Sequence, residues 1–200
     1  MAVVTSSMTK VCCNGLVQFN HDNMTGPELA VDLVNLANGP GWTLPGLIQV
    51  LGEHQIRKSS SLTPFSSQRL QQWADLLRTA FNAPDDVELC AAINTLLNTG
   101  TSRAYLSTHD GLHPHLHWAP EEEDVVARVK AVTAGGLALF AVESAGKRIG
   151  TCSRSGCDTV FIDTSRNGKR AYCSAKCGNY DAVQRHRHGT AGNSSVCVGA

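Results

Sequence analysis

The chain has 200 residues, with 17 Lys and Arg balanced by 17 Asp and Glu, and 42% of it is hydrophobic. That is the composition of a soluble globular protein, long enough for one ordinary core and a small added module. The N-terminus lacks a basic region followed by an unbroken apolar run, so a secretory signal is not expected, and a cytoplasmic protein whose thiols stay reduced is. The zero net charge hides a division. Between 147 and 188, Lys147, Arg148, Arg154, Arg166, Lys169, Arg170, Lys176, Arg185 and Arg187 stand against only Asp158, Asp163 and Asp181, a net +6 that leaves −6 for the remainder. Such asymmetry points to an anionic partner for the basic segment.

Residues 1–23 have no strong period and are expected to be partly disordered. "GPELAVDLVNLANGPG" then predicts a helix, with Pro27 in its first turn, Glu28 at the positive end of its dipole and Gly39-Pro40 as its stop. Leu29, Leu33 and Leu36 form its apolar stripe. Asp32 and Asn35 lie off or beside that stripe, where they either line a ligand pocket or hydrogen-bond the helix to a loop. A short helix is expected over 44–56. "SSQRLQQWADLLRTAFN" carries Leu70, Trp73, Leu77 and Phe81 at helical spacing, and Pro84-Asp85-Asp86 starts a further helix through Val87, Cys90, Ile93, Leu96 and Leu97. Cys90 is read as a small core residue of that helix.

"RAYLSTHDGLHPHLHWA" predicts a β-hairpin turning at Asp110-Gly111. His113, His115 and His117 alternate, so a strand puts them on one side, with His109 across the turn. An exposed strand face beside Trp118 is expected rather than a metal or pH-sensing site, because no carboxylate or Cys is spaced to complete one. Pro120 and the acidic run Glu121 to Asp124 open a helix reaching Glu143. Its stretch from Val125 to Val142 carries Arg128 and Lys130 and is expected to be amphipathic rather than membrane-spanning. "ESAGKRIGT" reads as a link.

Beyond the link stand Cys152, Cys157, Cys173 and Cys177, spaced C-x4-C-x15-C-x3-C. Two close pairs separated by a hairpin-sized gap fit a tetrahedral, all-thiolate and therefore structural zinc site. Four thiolates with one Zn2+ change the basic segment by −2, so it stays positive. The first pair is expected on a turn at Ser155-Gly156, "TVFIDT" as a strand, "RNGKR" as a turn and "RAYC" as the returning strand. Ser174 is expected to cap a helix that carries Cys177. A segment with so few apolar residues draws much of its stability from the metal. Cys12, Cys13, Cys90 and Cys197 have no such spacing, and Cys12-Cys13 are read as partly buried thiols rather than a redox pair.

"FIDTSRNGKRAYCSAKCGNY", preceded by C-x4-C, resembles the CGNR zinc finger of bacterial proteins. "LAVDLVNLANG", "LQQWADLLRTAF" and "AAINTLLNTG" are similar to the mainly helical ABATE domain that precedes this finger in those proteins. The resemblance spans about residues 24–188. It implies a stress-induced transcription regulator whose finger binds DNA and whose ABATE part senses an effector or holds a partner. The chain departs from the motif where its usual Arg is Tyr180 and the following Lys is Ala182, with Asp181 between them. These changes weaken the helix as a phosphate-binding surface. Cys177, Gly178 and Asn179 are retained, as are Arg166, Asn167, Lys169 and Arg170.

The expected fold is mainly α with a small β-hairpin (α+β), plus a C-terminal treble-clef-like zinc-binding module. The expected units are a segment 1–23, a helical domain 24–145, a finger 147–188 and a disordered tail 189–200. The expected function is DNA-binding transcription regulation, with phosphates held by Arg166, Lys169, Arg170, Lys176, Arg185 and Arg187. A zinc-stabilised protein-interaction module and a thiol-based redox sensor that ejects zinc are the alternatives. No nucleophile elbow, phosphate loop or dinucleotide fingerprint is present, so a non-enzymatic role is expected.

Overall fold

The computed structural model describes residues 24–56, 59–101, 103–108, 115–118 and 124–191. The expectations for residues 1–23, for the hairpin turn with His109 and His113, for Glu121 to Glu123, and for Cys12, Cys13 and Cys197 lie outside them.

Among the described residues, five helices build the first part: α1 (Thr25–Ala37), α2 (Leu44–Glu53), α3 (Pro64–Phe81), α4 (Asp86–Gly100) and α5 (Val125–Glu143), with a 3-10 turn at Ser59–Ser61. Four of them start where a side chain replaces the missing backbone acceptor. Thr43 Oγ1 accepts from the Gly46 amide, Thr63 Oγ1 from Ser66, Asp85 Oδ1 from Val87 and Glu88, and Asp124 Oδ1 from Ala127. The predicted stripes bury as expected in α1 (Leu29, Leu33) and α3 (Leu70, Trp73, Leu77, Phe81). In α4 the buried face is Leu89, Ile93 and Leu96 instead. Val87 and Cys90 are exposed, so Cys90 is not the core residue the sequence suggested. That face follows from how α4 packs on α3 and α5.

The larger correction is α5. It is not amphipathic: Val125, Val126, Val129, Ala131, Thr133, Ala134, Leu137 and Phe140 bury it around most of its circumference. This helix is long and apolar enough to cross a membrane. In the fold, however, it is the central helix, packed between α1 and α4. Backbones meet at its crossing with α1, where a Cβ on Gly136 would lie 2.7 Å from Gly26 Cα and 2.8 Å from Pro27 Cδ. Its one buried hydroxyl, Thr133, donates to Val129 O at 2.7 Å and accepts from Trp73 Nε1 at 2.9 Å, so neither polar group is left unpaired.

Strands β1 (Tyr105–Ser107) and β2 (His115–His117) pair antiparallel, Leu106 opposite Leu116, as the hairpin reading requires. His117 stacks on Tyr105, ring centroids 5.0 Å apart. A second pair is β3 (Ile149–Thr151) with β4 (Val160–Ile162), followed by α6 (Ala175–Ala191). "TVFIDT" is thus a strand, but its partner is Ile149–Thr151 from the expected link, not "RAYC", which has no ladder. Helix α6 also runs three residues into the expected tail. Val160 and Ile162 belong to the same buried cluster as Leu29, Leu33, Leu77 and Phe81, so the apolar core continues from the helices into the hairpin.

Candidate metal centre

Three local devices bring the four cysteines together. Strand β3 ends at Thr151, so Cys152 follows it directly, and its amide donates to Thr159 O at 2.9 Å. The knuckle then turns through Gly156, whose φ of +74° lies in the left-handed region that glycine enters freely, and Cys157 closes it onto Arg154 O. The second pair sits at the start of α6. Ser174 Oγ accepts from the Cys177 amide at 3.3 Å, the expected cap, and places Cys177 one turn beyond Cys173.

Between the pairs, Asp163 shapes the basic turn. It is 2% exposed and accepts from the Ser165 and Arg170 amides at 2.9 and 2.8 Å. Burial alone would raise its carboxyl. The Ser165 hydroxyl, those two amides and the Arg148 charge outweigh it and hold Asp163 below the ordinary carboxylate value. These bonds lead the chain through Arg166, Asn167 and Lys169 as an Asp-anchored turn. A ladder strand at 170–173 does not form because Asp163 takes the Arg170 amide.

The four sulfurs lie within 4.8 Å of one another. Cys173 Sγ is 3.5 Å from Cys177 Sγ and 3.8 Å from Cys157 Sγ, and Cys157 to Cys177 is 3.9 Å. A tetrahedral zinc with Zn–S bonds of about 2.3 Å holds its sulfurs about 3.8 Å apart, so the donor set fits Zn2+ in size and chemistry. Four thiolates close the coordination shell and leave no position for an activated water, which makes the site structural. Cys152 and Cys177 are buried and the other two half-buried. Hydrogen bonds from the Thr159 hydroxyl and amide push the Cys157 thiol down to about 6, whereas burial and the neighbouring Cys177 push Cys173 up to about 12. Zinc binds thiolates, so metal binding to the cluster releases protons.

Arg154, which the sequence reading passed over, flanks the cluster. Its guanidinium carbon lies 5.1 Å from the centroid of the Tyr180 ring. The sulfurs of Cys157, Cys177 and Cys152 beside it hold it above the ordinary arginine value. A cation thus stands between the sulfurs and an aromatic face, and Tyr180, the residue in place of the motif's arginine, is what supports it. The signal was present as an arginine inside the C-x4-C knuckle.

The proposed phosphate contacts divide into two groups. Arg166 and Lys169 on the turn, and Lys176 and Arg187 on α6, are exposed. Lys176, Tyr180, Val183 and Arg187 lie along one exposed side of α6, with Tyr180 50% and Val183 49% exposed. Arg170 instead covers Phe161 at 4.7 Å, donates from Nε to Tyr172 O at 2.9 Å, and bonds the Cys173 carbonyl through Nη2. Arg185 pairs with Asp181 at 3.1 Å, and Asp181 also accepts from the Tyr172 hydroxyl at 2.7 Å.

The polar residues on α1 hydrogen-bond to later parts of the chain. Asn35 holds the finger: its Nδ2 donates to Val160 O at 3.0 Å and its Oδ1 accepts from Val160 N at 2.9 Å. Asn38 Nδ2 and Arg78 Nη1 reach Asp158 O at 2.8 and 3.3 Å, and the Thr151 hydroxyl lies 2.8 Å from Asn82 Oδ1. Asp32 bonds His54 Nε2 at 2.8 Å. Asp32 and Asn35 also line a cleft of about 390 Å3 between α1 and β4. None of these partners was readable in advance, because each lies far along the chain.

No curated protein matches this chain. Its residues 148–188, which hold all four clustered sulfurs and the basic turn, match the family model of the CGNR zinc finger.

Proposed function

We propose that this protein is a DNA-binding transcription regulator of the cytoplasm, in which the zinc-built finger holds DNA phosphates and the ABATE-like helical part responds to an effector or partner, in keeping with a role in stress response. The observation that carries the reading is the positive charge of residues 147–188, 9 − 3 = +6 without metal and +4 with four thiolates and one Zn2+, with Arg166, Lys169, Lys176 and Arg187 exposed around a structural metal centre. Arg170 and Arg185 support the fold of that surface. The Arg154–Tyr180 pair keeps a cation beside α6 although the motif's own arginine is absent.

The test is binding of the zinc-loaded chain to fragmented genomic DNA from its source, with bound fragments sequenced and affinity read at two salt concentrations. A shared enriched site and a steep loss of affinity with salt are expected. Replacing Arg166 and Lys169 by Ala should flatten the salt slope by about two phosphate equivalents, and Cys173→Ser should abolish zinc and DNA binding together. Absence of DNA binding by the folded, zinc-loaded protein refutes the reading. A second reading, a protein-docking finger, is favoured by the half-exposed Tyr180 and Val183 on α6. It predicts binding that survives high salt and fails in Val183→Asp.

A further inference from the structure

The cleft between α1 and β4 contains an open strand edge. Residues 148, 150 and 152 face 163, 161 and 159 in the β3–β4 register, and the bonds Asp163 N to Arg148 O and Cys152 N to Thr159 O fix these as the hydrogen-bonded pairs. The peptide groups of Val160 and Ile162 therefore point to the opposite edge, toward α1. Asn35 satisfies Val160 on that edge with both ends of its amide. One step further along, the N–H and C=O of Ile162 have no partner among the described residues, although Ile162 is only 7% exposed and lines the cleft. A backbone donor and acceptor on the edge of a cleft are ready to pair with a ligand that enters it.

The charges around this edge are ordered. Glu28 and Asp32 stand one helical turn apart on the α1 wall, and Asp32 uses only Oδ2 for His54. Arg170 lies on the opposite side with Nε and Nη2 committed to carbonyls and Nη1 uncommitted among the described residues. A cleft of about 390 Å3 is of small-ligand size.

We propose that this cleft binds a short free peptide as an added strand. Its ammonium faces Glu28 and Asp32, one peptide unit pairs with Ile162 as Asn35 pairs with Val160, and its carboxylate meets Arg170 Nη1. The ligand spans the helical part and the residue that holds the Cys173 carbonyl. This deepens the effector-responsive reading of the helical part and rests on it, but ligand binding is measurable without DNA.

The test is calorimetry of the full zinc-loaded chain with alanyl-alanine and trialanine as probes, alongside hydrogen exchange at the Ile162 amide. Expected are saturable binding, slowed exchange at Ile162, and at least tenfold weaker binding of the N-acetylated and of the C-terminally amidated peptides. Glu28→Gln, at an exposed site that should not disturb folding, and Asp32→Asn should each weaken binding about fivefold or more. No binding of either peptide, or binding that blocked termini and both substitutions leave unchanged, overturns the proposal. Peptide binding by a protein that fails to bind DNA would sink the DNA reading and leave this one standing.

Discussion

Replacing Asn35 by alanine removes the clamp between α1 and the finger without touching the zinc ligands. The side chain makes two hydrogen bonds, at 3.0 and 2.9 Å, to the carbonyl and amide of one residue, Val160, which is 1% exposed. A net hydrogen bond is worth about 0.5–1.5 kcal/mol, and a buried group left without its partner costs about 1–3 kcal/mol. With two groups stranded and partial access of water at the neighbouring cleft, Asn35→Ala should destabilise the protein by about 2–4 kcal/mol. Asn35→Asp is the sharper probe. It keeps an acceptor for the Val160 amide but sets a carboxylate oxygen against the Val160 carbonyl, so its loss should equal or exceed that of alanine. Urea unfolding of the zinc-loaded protein gives the free energies, and zinc content measured alongside confirms that the metal stays bound. A loss under about 0.5 kcal/mol for both variants would refute the clamp.

Arg154→Ala leaves the thiolate cluster without its flanking cation and Tyr180 without its partner, so transfer of zinc to a competing chelator should become about tenfold easier, as for other residues that support metal ligands. Arg154→Lys, which keeps the charge and loses the planar stack, should fall between. At the α1–α5 crossing, Gly136→Ala should cost about 1–3 kcal/mol, because the new Cβ meets backbone and a proline ring that cannot turn away. Gly52→Ala, with nothing within 4 Å of the added carbon, is the control and should leave thermal stability unchanged or raised.

What the sequence disclosed and what it hid differ in range. Stripes and acidic helix starts were readable, because Asp85 and Asp124 act on amides two or three residues away. The four cysteines were readable because thiolate chemistry fixes their spacing. The partner of β4 was not: Ile149–Thr151 is three residues with a glycine in the middle, too short to show a period of two. Burial of α5 on most sides was missed because Arg128 and Lys130 suggest a polar face. Lys130 instead lies against Trp73 at 5.1 Å, where burial, with nearby Arg69, lowers its pKa. The intramolecular partners of Arg170 and Arg185 were hidden for a related reason. A basic residue in a basic segment looks the same in sequence whether it faces a phosphate or a backbone carbonyl.

Zinc and the apolar core hold different parts of the finger, and this sets what metal loss does. Strand β4 is anchored by Val160, Phe161 and Ile162, all buried, and by Asn35. Helix α6 has no such anchor: among its described side chains only Cys177 is buried. The ties it makes near the surface include the Arg154–Tyr180 stack and the bond from Tyr172 to Asp181. An isolated helix of 17 residues is marginal in water, so α6 depends on the sulfurs of Cys173 and Cys177 being held by the metal. Chelation should therefore release α6 while β3, β4 and the five helices persist. In hydrogen exchange, α6 amides should approach unprotected rates on zinc removal, and those of α1, α3 and β4 should stay protected. Loss of protection in β4 and α1 together with α6 would show that metal and core form one cooperative unit, and would overturn the division argued here.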